Sequence, residues 1–128
     1  MGQKHKTDDH YIEEIDYVYA GNHLIVDIYG YDKKYKDFNH LLAKASYLAG
    51  AKLLYAYTHD FDNGGITGVA ILAESHITFH TWAERDYIAF DVFMCGDTQP
   101  YKAINFIKKE LKAKDVKIKT IKRGKIAK

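Results

Sequence analysis

The sequence predicts an α+β fold, a two-layer sandwich in which a mainly antiparallel sheet carries two helices on one face in the order βαβββαβ. Three observations lead there. Two stretches, Tyr35 to Ala49 and Ala103 to Leu111, carry apolar residues at helical spacing. The runs between and around them alternate apolar and polar residues with period two. Short loops join the middle runs, which suits hairpins rather than parallel crossovers. At 128 residues the chain is one domain by length, with residues 1–22 read as an N-terminal arm and residues 23–128 as the domain.

Residues 1–22 mix His, Lys, Asp and Tyr without sustained periodicity, so a loosely ordered arm is expected there, with local pairing at most between Tyr11 and Tyr19. From His23 to Gly30, Leu24, Val26 and Ile28 share one strand face and His23, Ile25, Asp27 and Tyr29 the other. The first face belongs in a core. The second sets the Asp27 carboxylate among apolar neighbours, which suits a face that meets a ligand or a partner. Asp32 is placed to cap a helix from Lys33 to Ala49, along which Tyr35, Phe38, Leu41, Leu42, Ala45 and Leu48 recur, and Gly50 ends it. A strand from Ala51 to Thr58 leads into a turn-rich loop, His59 to Gly65, and a third strand covers Ile66 to Ala73. After the hairpin that follows, Asp97 or Thr98 caps a helix through Lys112, with Pro100 in its first turn. Val116, Ile118 and Thr120 alternate with lysines in a last strand. Two helices cover one sheet face, so the other needs sheet-to-sheet dimerisation or a ligand to cover it.

The richest stretch lies in the middle. β-forming residues run for seventeen positions from Ile66 to Trp82, well beyond the usual strand of roughly five or six, and Glu74-Ser75-His76 supplies the required break. Ala83 to Asp86 then interrupts the pattern before a second run, Tyr87 to Cys95. If those four residues close an antiparallel pair, Trp82 faces Tyr87, and counting outward sets Met94 opposite Ser75 and Cys95 opposite Glu74. The only thiol then sits beside the Glu74–Ser75 peptide bond. His80 lies five residues on, roughly 16 Å away at about 3.3 Å per residue and on the other strand face. Either the break bends the chain sharply, or the His80 that works with a given Ser75 belongs to a twofold-related second chain.

Composition excludes several classes. Nineteen basic and 17 acidic residues give a net charge of +2, too balanced to argue for nucleic acid, and the basic C-terminal segment reads as a solvated end. Hydrophobic residues at 47% and aromatics at 14%, with eleven Tyr, suit a globular protein with aromatic surface to bury in its core or against a partner. One Cys rules out an internal disulfide framework and suits a reducing compartment. No apolar run approaches the roughly 18 residues of a membrane span, and Met1 to Asp9 lacks the apolar core of a signal peptide, so a cytoplasmic protein is expected. Gly64, Gly65 and Gly68 make no phosphate loop without a following helix and Lys.

Glu74-Ser75-His76-Ile77-Thr78-Phe79-His80-Thr81-Trp82, followed by Asp91-Val92-Phe93-Met94-Cys95-Gly96, resembles the self-cleavage and cysteine motifs of the short prokaryotic S-adenosylmethionine decarboxylases, whose proenzymes cut themselves within Glu-Ser-His. The resemblance runs from about Gly21 to Gly124. It departs at Ala83, where Pro is typical, at Met94, where Thr is usual, at Thr67, where Ser is usual, and at Asp27, where many members carry Glu. The chemistry it implies starts with attack of Ser75 Oγ on the Glu74 carbonyl. The ester formed undergoes β-elimination, and the dehydroalanine left behind hydrolyses to a pyruvoyl group, giving a β chain of residues 1–74 and an α chain of residues 75–128. The pyruvoyl carbonyl would hold the substrate amine as a Schiff base and serve as the electron sink for decarboxylation.

The same resemblance implies the remaining roles. His80 moves the proton in processing, Thr67 assists with its hydroxyl, and Cys95 returns a proton to the α-carbon after carbon dioxide leaves. Phe61 stacks on the adenine of S-adenosylmethionine, Glu84 accepts from the ribose hydroxyls, and Asp27 stands where a longer acid is usual. A homodimer with shared sites is implied, with no metal, and the product would be the aminopropyl donor of spermidine synthesis. Arginine or ornithine are alternative substrates, since the same sink serves any α-amino acid. A zinc site of a non-enzymatic protein, built from His59, His76, His80 and Cys95, is the more remote alternative, because these residues lack a close paired spacing.

Overall fold

The computed structural model describes residues 9–128. In chain order the elements are β1 (Ile12–Glu13), β2 (Tyr17–Tyr19), β3 (Gly21–Tyr29), α1 (Phe38–Leu48), β4 (Leu53–Asp60), β5 (Ile66–Leu72), β6 (Ser75–Trp82), β7 (Tyr87–Cys95), α2 (Pro100–Glu110), β8 (Asp115–Arg123) and β9 (Ile126–Ala127). Six strands form one antiparallel sheet in the spatial order β4-β5-β6-β7-β3-β8. Both helices pack on one face of it, so the fold is the α+β sandwich expected. Four strands rather than three separate the helices, because the hairpin β6–β7 adds two of its own to β4 and β5.

The alternation read in the sequence decides which residues enter the core. Leu24, Val26 and Ile28 of β3, Ile77 and Phe79 of β6, and Ile88, Phe90, Val92 and Met94 of β7 are buried against Leu41, Leu42 and Ala45 of α1 and Ala103, Ile104 and Ile107 of α2. Phe79 stacks between Phe38 and Phe90, with ring centroids 5.0 and 5.1 Å away. Its ring lies across Gly68 on β5, where an added Cβ would come within 2.2 Å of it. Gly68 is therefore the absence that lets Phe79 fill the middle of the core.

Several boundaries differ from expectation. The helix expected from Lys33 begins only at Phe38, under an Asp37 cap whose carboxylate accepts the His40 N–H at 3.1 Å. Asp32 instead accepts from the Lys34 N–H at 3.0 Å and closes a local turn. Lys33, Lys34, Lys36 and Asp37 leave Tyr35 as the one apolar side chain in that segment, too little to hold a helical turn against the core. Neither Asp97 nor Thr98 caps α2: the Thr98 hydroxyl donates back to the Cys95 carbonyl at 2.7 Å, and Gln99 precedes Pro100 without a side-chain cap bond. β4 runs two residues further along the chain than expected, to Asp60.

In the described part of the expected arm, the local pairing between Tyr11 and Tyr19 is present as β1 on β2, but the expectation that the segment is otherwise loosely ordered is corrected. β1, β2 and β9 form a second, three-stranded sheet, and Tyr19 is fully buried. The partner that orders this segment comes from the opposite end of the chain, and strands of two or three residues show no period to read. Residues 1–8 of the expected arm lie outside the described residues.

Candidate active site

Ala73 and Glu74 make the tight turn between β5 and β6, across which Leu72 pairs with Ser75. Glu74 adopts φ +64°, a left-handed conformation that disfavours any side chain and stores of order 1 kcal/mol of strain. Register in the hairpin is as counted from the sequence, with Trp82 opposite Tyr87 and His76 opposite Phe93. The Ser75 hydroxyl therefore reaches the only thiol, with Oγ to Cys95 Sγ at 3.9 Å. Burial pushes the Cys95 thiol up from its ordinary value, further aided by the Glu74 charge, while the Ser75 contact pulls the other way. At neutral pH the thiol holds its proton. A cavity of about 460 Å³ opens at this end, lined by Glu74, Ser75, His76, Phe93 and Arg123, with Ala20 and Gly124 at its wall. The Arg123 guanidinium lies over the Phe93 ring at 5.3 Å.

A second group forms at the other end of the same strand. Thr67 and His80 are cross-strand partners, and Thr67 Oγ1 shares a 2.6 Å hydrogen bond with His80 Nδ1. Trp82 and Phe61 present their rings to the same imidazole at 4.3 and 6.1 Å. Trp82 stacks on Tyr87 at 5.4 Å and Tyr87 on Tyr29 at 5.2 Å, making an aromatic ladder across three strands. The Tyr87 hydroxyl donates to Asp27 at 2.5 Å, and this bond to a carboxylate, with burial, pushes Tyr87 up to about 12. Glu84 sits in the 3₁₀ turn Ala83–Arg85 that joins β6 to β7 beside Trp82.

The residues singled out in the sequence thus fall into two groups. Phe61, Thr67, His80, Glu84 and Asp27 stand towards one end of the sheet, and Glu74, Ser75 and Cys95 at the other. The strand between them does not bend: β6 is regular from Ser75 to Trp82, so its own His80 remains roughly 16 Å from Ser75 at about 3.3 Å per residue. Among the described residues no three His, Cys, Asp or Glu side chains gather as a metal-binding group, so the zinc alternative has no cluster to rest on. Sequence reasoning gave Trp82 and Tyr87 no role beyond their pairing, read Arg123 as part of a solvated basic end although it lines the cavity over Phe93, and missed a third group in which His23 Nε2 meets Asp91 Oδ1 at 3.1 Å with the His76 ring 6.4 Å from His23. Strand alternation had put His23 and Asp27 on one face. What it could not supply was the pairing of β3 with β7 and β8, which are distant in sequence.

Comparison with known proteins decides the family. The S-adenosylmethionine decarboxylase family model matches residues 22–124. The chain belongs to the S-adenosylmethionine decarboxylase family. Among its relatives, the S-adenosylmethionine decarboxylase proenzyme of Synechococcus sp. (strain WH7803) is 48% identical over 99 residues, 73% of this chain and 77% of that protein. The proenzyme of Thermoanaerobacter sp. (strain X514) is 38% identical over 109 residues, 81% of this chain and 88% of that one. The crystal structure of the adenosylmethionine decarboxylase from Aquifex aeolicus VF5 superposes with a TM-score of 0.76 at 32% identity, covering 83% of this chain and 92% of that one. Both motif regions, Glu74 to Trp82 and Asp91 to Gly96, fall inside the family match. Among the described residues no helix is long and apolar enough to cross a membrane.

Proposed function

We propose that this member of the family is a self-processing, pyruvoyl-dependent decarboxylase of S-adenosylmethionine. The observation that carries the reading is the Glu74–Ser75 peptide bond, set in a left-handed turn with the Ser75 hydroxyl 3.9 Å from Cys95 at the mouth of a cavity. The relatives named proenzymes support processing of the chain, and the Glu-Ser-His motif gives the bond. The residues present fit a pyruvoyl group at Ser75: the position is a strand terminus with room beside it and one protonated thiol at hand. Such a group supplies the electron sink that decarboxylation of an α-amino acid requires.

The chain's own residues supply the rest. Ser75 Oγ is the nucleophile on the Glu74 carbonyl, and release of left-handed strain at Glu74 favours opening of the turn. The imidazole of His80, oriented by its hydrogen bond to Thr67, takes a proton in processing. Cys95, kept protonated by burial, returns a proton at the substrate α-carbon. Phe61 offers its ring to adenine, and the Glu84 and Asp27 carboxylates accept from substrate hydroxyl or ammonium groups.

The two residue groups come together in a homodimer. The sheet face away from the helices is uncovered, leaving Tyr55 58% and Tyr57 49% exposed beside Ile71, Ile25 and Trp82. Packing two such faces about a twofold axis buries that apolar surface and brings the Glu74–Ser75 turn and Cys95 at one end of the sheet in one chain towards the His80 end of the sheet in its partner. A cytoplasmic setting suits a chain whose single thiol has to stay free. The test is release of labelled carbon dioxide from carboxyl-labelled S-adenosylmethionine, arginine and ornithine in parallel. Release from S-adenosylmethionine alone is expected; release from arginine or ornithine with none from S-adenosylmethionine would overturn the substrate assignment.

A further inference from the structure

One contact reaches the scissile residue from outside the family match. His10 Nε2 lies 3.2 Å from the Glu74 carboxylate, whereas the match begins only at residue 22. His10 precedes β1, and the small sheet β1-β2-β9 that carries it is assembled from both ends of the chain.

That sheet is fastened to the part of the chain that lies beyond the Glu74–Ser75 bond. β2 pairs with β9, the Ala20 N–H donates to the Arg123 carbonyl at 2.7 Å, and the Lys128 N–H donates to the Asp16 carbonyl at 3.0 Å. Lys122 donates to the Tyr17 hydroxyl at 2.9 Å and lies over the Tyr17 and Tyr19 rings, while Lys128 pairs with Glu13 at 3.1 Å. Ala20, between β2 and β3, and Gly124, between β8 and β9, stand in the wall of the cavity onto which Ser75 opens. The arm is thus a fixed point relative to Ser75.

We infer that the chain-end sheet, through His10, positions Glu74 for cleavage of its own peptide bond. The inference rests on the self-processing reading above and deepens it. In the first step a bond forms between Ser75 Oγ and the Glu74 carbonyl carbon, the C–N bond breaks, and the Oγ proton ends on the Ser75 amine. That attack depends on the angle at which the Glu74 carbonyl is presented, which the Ala73–Glu74 turn sets. A turn residue at φ +64° with a free side chain relaxes among rotamers and backbone wells; tethering its carboxylate to a fixed arm holds the strained presentation until the bond opens.

His10 is a positioning residue by this argument, and its removal slows cleavage without abolishing it. The test is cell-free synthesis of the full chain with a labelled pulse, following conversion to fragments 1–74 and 75–128. His10→Ala is expected to slow conversion about two- to fivefold, the range that one exposed polar contact carries. His10→Gln, which keeps a donor at similar reach, restores most of the rate. In a Glu74→Ala background, where there is no carboxylate to hold, His10→Ala adds no further slowing. Conversion of His10→Ala at the wild-type rate would overturn the inference, as would slowing that persists in the Glu74→Ala background. So would a fall of several degrees in the melting temperature of the uncleavable Ser75→Ala chain when His10→Ala is added, since that marks a folding defect. A wild-type chain that never cleaves is a different result, and it removes the self-processing reading itself.

Discussion

Mixing two inactive variants should restore cleavage if each site is built from two chains. Ser75 and His80 are five residues apart on a regular strand, roughly 16 Å at about 3.3 Å per residue, and no bend in β6 shortens that distance. Proton transfer needs contact within about 3.2 Å or through one water, so a His80 that acts on Ser75 has to come from a second chain under the proposed mechanism. In a heterodimer of Ser75→Ala with His80→Ala, one site has lost both residues and the other has kept both. Random reassortment puts about half of the His80→Ala chains into such heterodimers. About half of those chains should therefore be cut, against none in either variant alone. The assay is joint unfolding and refolding of the two variants, with the Ser75→Ala chain tagged so that it is distinguished by mass, followed by gel analysis of the fragments. Heterodimers that form without yielding fragments, or a monomer that still cleaves, would refute the shared site.

Three further outcomes follow from the geometry. Cys95→Ala should cleave normally but lose turnover by about 100-fold or more, the scale of a lost proton donor, measured as carbon dioxide release per pyruvoyl group; unchanged turnover removes Cys95 from the chemistry. His76 is held below the ordinary histidine value of 6.5, first by burial and then by the neighbouring His23 and Arg123 charges, with Asp91 opposing. The unfolded chain then binds more protons as pH falls below about 6.5, so stability should drop over that window and His76→Gln should flatten the profile, read by denaturant melts at a series of pH values. Gly68→Ala places a methyl within 2.2 Å of the Phe79 ring between Phe38 and Phe90, and about 1–3 kcal/mol of stability should be lost; a melting temperature unchanged from wild type contradicts the packing described.

Much of the fold was legible because period and turn chemistry are local. The alternation of Leu24, Val26 and Ile28, and the four residues Ala83 to Asp86, were enough to place one core face and the register of β6 on β7. From that register came the neighbourhood of Ser75 and Cys95. Pairing between remote segments was not legible: β3 sits between β7 and β8, which brings His23 onto Asp91, and nothing near His23 signals that. The helix start failed for a related reason. Asp32 and Asp37 are both competent caps, and the first core-facing side chain that packs, Phe38 against Phe79, follows the second. The rest of the chain-end sheet was hidden more fully, because beyond its local pairing with β1, β2 finds its second partner more than a hundred residues away in β9.

Intact-mass analysis of the purified protein, followed by reaction of the smaller species with a carbonyl reagent, bears directly on cleavage between Glu74 and Ser75. Two masses are expected, one for residues 1–74 ending in a free carboxylate and one for residues 75–128 lacking an N-terminal amine and forming a hydrazone. A single mass for the unmodified 128-residue chain after long incubation, or a fragment 75–128 that begins with an ordinary serine amine, would contradict the account.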